Sequence, residues 1–274
     1  MRNKLSFVYL VFLFLSLKPI CGQTRYFPKM IDNYEVLDSS KLVVSYSLEI
    51  VNDTVNPNHN TKDKIILQVG NKMSKSHSEA LYSCDSIGTS MRRKGARNVP
   101  LCSVNTIPEE IFKTYGSQSC EVACRAPFDG SVFLYDDSCN INWELSNKTK
   151  EIQGYLCRLA IAKFRGRVWE AWFTFEIPVM DGPWKFCNLP GLILEVSDSN
   201  KHYTFSCIGI EEKVVPIVKW DWIYEKTNRQ KVRNYFVSFH NNPYSMLNNK
   251  LKIVGKTEAE TKKTSFPYNP IELE

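Results

Sequence analysis

The sequence predicts a mainly β fold of the α+β class: a curved antiparallel sheet with one or two helices and a disulfide-pinned insertion. Three observations carry this expectation. Apolar and polar residues alternate over stretches of strand length, as in Leu42, Val44, Tyr46, Leu48 and Ile50 against Lys41, Val43, Ser45, Ser47 and Glu49, the pattern of a half-buried strand. Such stretches follow one another through short turn signals with no βαβ rhythm, which favours antiparallel neighbours. Eight cysteines lie beyond residue 22, four of them between Ser83 and Asp129.

The chain begins with a charged segment (Arg2, Lys4), an uncharged run Leu5–Leu17, and then Pro19, Cys21 and Gly22. This profile reads as a secretory signal over residues 1–22, cleaved to leave Gln23 at the new N-terminus. The run falls short of the roughly 20 helical residues that span a bilayer. Pro19 and Ile20 stand before Cys21 where lipid-modified cysteines usually follow a small residue, so cleavage is expected rather than lipidation.

Loss of the signal removes three basic residues and lowers the net charge from +6 to +3 over the remaining 252 residues. So small a charge leaves no electrostatic footprint for nucleic acid. The one basic cluster, Met91–Arg97, contains Gly95 and precedes Pro100, which reads as an exposed loop. No second apolar run of spanning length follows, so the mature chain is not expected to span a membrane. Residues 23–256 are read as one domain and 257–274 as a flexible tail.

An even number of cysteines in an exported chain is read first as disulfides. Cys84, Cys102, Cys120, Cys124, Cys139, Cys157, Cys187 and Cys207 are the candidates, and the span 84–139 is the pinned insertion. Eight cysteines allow 105 pairings, so connectivity stays open. The closest approach to a zinc motif is Cys120-x-x-x-Cys124, and His59, His77, His202 and His240 are scattered. No metal and no cofactor is expected.

Strand Lys41–Ile50 and strand Ile65–Val69 should form a long-looped hairpin across the turn-rich segment 52–63. From 83 to 129 periodicity is slight, with a short helix predicted over Pro108–Tyr115, capped by Thr106 with Glu109 as return partner. Strands resume at Gly130–Tyr135. Residues 153–163 and 168–176 form a hairpin through Phe164-Arg165-Gly166-Arg167, where glycine accepts positive φ. Gly191–Val196 and Tyr203–Ile208 form another. Val232, Tyr235, Phe236 and Phe239 match one helical face, which predicts a helix near 226–239.

The segment Lys150–Val196 contains Lys150-Glu151-Ile152-Gln153-Gly154-Tyr155-Leu156-Cys157, then Phe164-Arg165-Gly166-Arg167, Ala171-Trp172-Phe173-Thr174 and Ile177-Pro178. It continues through Asp181-Gly182-Pro183-Trp184-Lys185-Phe186-Cys187-Asn188-Leu189-Pro190-Gly191-Leu192-Ile193-Leu194. It resembles the GLPGLI family, exported proteins of Bacteroidetes with no assigned function, and the ending Tyr268–Leu273 resembles that family's tail. The resemblance implies the periplasm or the cell surface. Asn188 stands where the family motif has its first glycine, and asparagine tolerates the left-handed region well enough to keep a turn there. Within this run, Gly182-Pro183 and Pro190-Gly191 are two turn signals around Trp184, Phe186 and Leu189. Large aromatics are more often buried than ligand-facing, so the run is expected to plug the core, with a pocket wall as the other reading.

Catalytic signatures are thin. No Gly-x-Ser-x-Gly, His-Glu-x-x-His or phosphate-cradling glycine loop occurs, and the adjacent carboxylates Asp136-Asp137 and Glu211-Glu212 would point to opposite faces of a strand, at solvated turns or strand ends. The expected function is therefore a non-catalytic accessory or binding domain of the cell envelope. It would hold an apolar ligand or an envelope protein on a concave sheet carrying Tyr46, Trp172 and Phe205. The alternative is a thiol- or metal-dependent envelope enzyme.

Overall fold

The computed structural model describes residues 24–58, 60–243 and 265–274. The expected signal at 1–22, with Cys21, and also Gln23, His59 and tail residues 257–264 lie outside them.

In chain order the N-terminal half contains β1 (Arg25–Tyr26), β2 (Tyr34–Ser39), β3 (Leu42–Val51), β4 (Asn60–Val69), β5 (Met73–Ser78) and helix α1 (Glu79–Arg93). There follow β6 (Cys102–Ser103), β7 (Glu109–Thr114), β8 (Ser119–Arg125), β9 (Val132–Ser138) and β10 (Glu144–Ile152). The rest comprises β11 (Tyr155–Phe164), β12 (Arg167–Thr174), β13 (Leu192–Asp198), β14 (Tyr203–Glu211), β15 (Pro216–Trp220), β16 (Tyr224–Lys226) and helix α2 (Arg229–Asn241).

Twelve strands form one open sheet in the order β10-β11-β12-β13-β14-β3-β4-β5-β7-β8-β9-β16. Every neighbouring pair in it is antiparallel except β9 with β16. β1 pairs with β6, and β2 with β15, as two small ribbons. The mainly β class thus matches the sequence expectation. So does the first hairpin, where Leu42 faces Val69 and Val51 faces Asn60. Among the described residues no helix is long and apolar enough to cross a membrane.

The sheet is rolled rather than flat, as two contacts of one side chain demonstrate. β7 and β12 lie six places apart in the strand order, about 29 Å across a flat sheet at roughly 4.8 Å per strand. Trp184 nevertheless donates to Glu109 of β7 at 2.7 Å, and its ring centroid lies 6.2 Å from that of Trp169 in β12. The main core fills the roll with Val44, Tyr46, Leu67, Trp169, Phe173 and Phe205, among others.

Several local expectations are corrected. The helix predicted over 108–115 is strand β7. Ile111 packs in the main core while Phe112 packs in a second cluster with Val218, Trp220 and Trp222, and a strand buried on both faces loses its alternation. Thr106 hydrogen-bonds Asp63 instead of capping a helix. Between Cys84 and Cys139 two disulfides occur, and the span also supplies most of α1 and the sheet strands β7, β8 and β9. Arg92 and Arg93 of the basic cluster end α1, and its exit follows at Gly95 with φ 85°. Trp172 does not share a face with Tyr46 and Phe205. Residues 169, 171 and 173 of β12 face the core, so period 2 sends Trp172 to the other side, where Lys150 Nζ lies 4.5 Å from its ring centroid.

Candidate functional site

β12 and β13 are adjacent in the sheet, yet their connection, residues 175–191, drops into the roll instead of turning tightly. Trp184, Phe186 and Leu189 are 2 %, 0 % and 1 % exposed. Residues on several strands hold this loop and the start of β13 that it feeds. Tyr46 of β3 donates its hydroxyl to the Ile193 carbonyl at 2.7 Å, and the Trp184 backbone N–H donates to Ser76 Oγ of β5 at 3.0 Å. Lys113 of β7 donates to the Gly182 carbonyl at 2.7 Å and the Phe186 carbonyl at 3.2 Å, and pairs with Asp181. Three acceptors use all three donors of its ammonium.

Asn188 adopts φ 68°, the left-handed turn its identity allows, and donates its side-chain amide to the Cys139 carbonyl at 3.1 Å. Trp184 takes φ 52°, a costly angle for a large side chain. Pro183 is buried and Pro190 exposed. At Gly191 an added Cβ would lie 2.7 Å from the Thr174 carbonyl carbon and closer still to its oxygen, so a bare backbone is required at that crossing.

Beside the loop sits a buried charged network. Lys185, 0 % exposed, donates to Asp137 at 2.7 Å and to Glu272 at 2.6 Å. Arg165 binds the other Asp137 oxygen at 2.5 Å, and Arg229 of α2 reaches Glu272 at 3.1 Å. Burial works against the charge of Lys185, but Glu109, Glu272 and Asp137 outweigh it and hold its pKa above the ordinary lysine range. Asp137 therefore departs from the expected solvated turn: it faces inward from β9 beneath Lys185.

The same network extends to the described part of the tail, residues 265–274. Arg167 donates to the Ile271 carbonyl at 3.0 Å, Asn269 Oδ1 at 2.7 Å and the Pro270 carbonyl at 2.5 Å. With Glu272 only 7 % exposed, the segment is tied down. A buried lysine needs counter-charges, and the C-terminal segment supplies one of them.

Under α2 and this segment lies a cavity of about 140 Å³. Tyr135, Tyr203, Phe236 and Tyr268 give it aromatic walls, and Glu109 and Glu272 give it carboxyl groups. Glu109 accepts from Trp184 Nε1 at 2.7 Å and from the Tyr135 hydroxyl at 3.0 Å. Burial raises its pKa, the Glu272 charge adds to the rise, and Lys185 with these two hydrogen bonds only partly offsets it. His240 stacks on Tyr268 at 4.2 Å, and burial pushes it down to about 4. Sequence reasoning missed Glu109, Tyr135, Lys185 and Glu272 as a group, because four segments far apart in the chain contribute them.

Cys84 pairs with Cys102, and Cys120 with Cys139. Cys124, Cys157, Cys187 and Cys207 are free thiols, so four of the eight candidates are bridged. Cys124, Cys157 and Cys207 are buried in the main core, and Cys187 is half-buried against it. Burial raises all their pKa values, those of Cys157 and Cys187 to about 11. Among the described residues no three His, Cys, Asp or Glu side chains cluster as metal ligands.

A family model described as "Protein of unknown function (Porph_ging)" matches residues 165–195. That segment supplies Arg167 and Lys185, which bind the C-terminal segment, and Arg165, which binds Asp137. No curated protein matches the chain. Among solved structures, PNGF-II in its P21 and C2 space groups is similar, with TM-scores of 0.47 and 0.48 at 11 % and 12 % identity. Each alignment covers 74 % of this chain and 34 % of the other, so the chain spans about a third of the length of those proteins.

Proposed function

We propose that the chain is an exported, non-catalytic binding domain of the cell envelope, in the periplasm or on the cell surface, that holds a small apolar ligand under α2. The observation that carries this reading is the cavity of about 140 Å³ walled by Tyr135, Tyr203, Phe236 and Tyr268. An apolar cavity of about 150 Å³ accepts a single benzene-sized ring, and aromatic walls with a few polar groups are the usual make-up of a ligand site. Glu109 supplies one fixed polar contact and Cys124 a soft one. The charged start and apolar run of residues 1–22, the two disulfides and the resemblance to exported GLPGLI proteins support the location.

The thiol-enzyme alternative finds little support in three buried thiols and the half-buried Cys187. Thiolate is the nucleophile, and burial keeps each of these groups protonated at neutral pH.

Thermal unfolding with millimolar benzene, phenol or indole tests the reading. A ligand at 100 times its Kd adds about 2.7 kcal/mol of stability, so the melting temperature should rise. Val232→Trp, which fills the cavity from α2, should remove the rise. An unchanged wild-type melting temperature with all three compounds overturns the assignment. Intact mass of protein exported by its native host, starting at Gln23, tests the location separately.

A further inference from the structure

The face of the central sheet turned away from the core carries a second site. Side chains alternate along a strand, so Val43 and Ser45 of β3, Ile66 and Gln68 of β4, and Lys75 and His77 of β5 leave the sheet opposite the main core. The ladder sets them in rows: Ser45 beside Ile66 beside His77, and Val43 beside Gln68 beside Lys75. Val218 and Trp220 of β15 make one wall, and Glu79 and Tyr82 at the start of α1 make another. Between them runs a trough of about 600 Å³, inside the roughly 300–1,000 Å³ range of ligand sites.

Three features of the trough define what it would hold. Its walls offer aromatic surface: Tyr82 stacks on Trp220 at 6.4 Å and Tyr34 meets it edge-on at 5.8 Å, yet the two tyrosines stay 39 % and 51 % exposed. Its floor offers unused hydrogen-bonding capacity, since His77 Nδ1 is buried with no partner. Burial and the Lys75 charge hold that imidazole neutral, pushed down to about 3. Its charges cancel. Lys75 is taken up by Glu110 at 2.8 Å, and the lining holds Lys64 and Lys213 together with Glu79 and Glu211.

A polyanion gains nothing from balanced charge, and a lipid chain would leave His77 Nδ1 without a partner. A compound with apolar ring faces and a hydroxylated rim satisfies all three features. We propose that this trough binds a neutral oligosaccharide, its ring faces stacked on Tyr82 and Tyr34 and its hydroxyls paired with His77, Gln68 and Ser45.

The test is calorimetric titration of the full chain with maltohexaose, cellohexaose, chitohexaose and mannohexaose, and with heparin as the anionic comparison. At least one neutral oligosaccharide should bind. Tyr82→Ala should weaken it tenfold or more at an unchanged melting temperature, and Ser45→Trp, which fills the floor and spares the rings, should do the same. Phe175→Ala, an exposed ring outside the trough, should leave binding as it was. Binding of heparin alone, of none of the sugars, or of a sugar indifferent to both trough variants overturns the proposal.

Discussion

Trp184 donates its indole N–H to Glu109 at 2.7 Å, joining the loop between β12 and β13 to a strand on the far side of the rolled sheet. This contact makes the loop a structural plug and also sets one polar group of the cavity. Trp184→Ala removes a ring that is 2 % exposed and leaves Glu109 short of a donor. Truncating a buried tryptophan costs about 3–5 kcal/mol, so chemical denaturation should show at least that loss. Trp184→Phe keeps most of the packing and should cost about 1–3 kcal/mol for the unsatisfied acceptor.

Gly191→Ala should be as damaging as Trp184→Ala, more than a change in loop entropy would cause. Its new methyl would collide with the Thr174 carbonyl in an adjoining segment of backbone, and backbone cannot move aside as a flexible side chain can. Pro190→Ala, at an exposed position, should cost far less. Thermal unfolding of the two variants side by side measures the difference.

Acid should destabilise the fold through its buried imidazoles. His240 and His77 are pushed down from 6.5 to about 4 and about 3. As the pH falls below about 6.5 the unfolded chain takes up these protons while the folded chain does not. Their contribution is therefore complete above pH 6.5 and is lost as the pH falls toward the folded values. Denaturation at a series of pH values should show stability dropping from pH 6.5 to 4. His240→Phe, which keeps a ring against Tyr268, should flatten part of that slope.

Among the cysteines of the described residues, alkylation of the unreduced, denatured protein should label Cys124, Cys157, Cys187 and Cys207 and spare the other four. Opening the Cys84–Cys102 bridge, which closes an 18-residue separation, should cost about 3 kcal/mol. Peptide mapping after labelling gives the count, and denaturation of Cys84→Ser with Cys102→Ser gives the energy.

The strands that bury one face were legible because their side chains alternate, as in β3 and β12. Helix α1 was not, because its buried stripe is Leu81, Asp85, Gly88 and Thr89, with one aliphatic residue in four. Asp85 lies inward as the partner of Arg125, a pairing forty residues away that no local pattern announces. The loop anchors Trp184, Phe186 and Leu189 were legible from their bracketing turn dipeptides. The charged network was not, since Asp137 looked like one of two surface carboxylates and Glu272 like part of a loose tail. Only the fold shows that Lys185 requires both.

The central pairing of the sheet constrains the order in which the molecule can assemble. β3 finds β4 at once as a local hairpin, but its other edge waits for β14, with Ile50 paired to Tyr203 and Val43 to Glu211. Until those residues have left the ribosome, an edge strand carrying Val44, Tyr46, Leu48 and Ile50 stays open, and the loop that fills the roll has no finished walls to enter. Such distant pairing slows folding and leaves a template for aggregation in the interval. A chain built this way is exposed to edge-to-edge association between synthesis and closure, and truncation anywhere before β14 leaves the early hairpins without their seam.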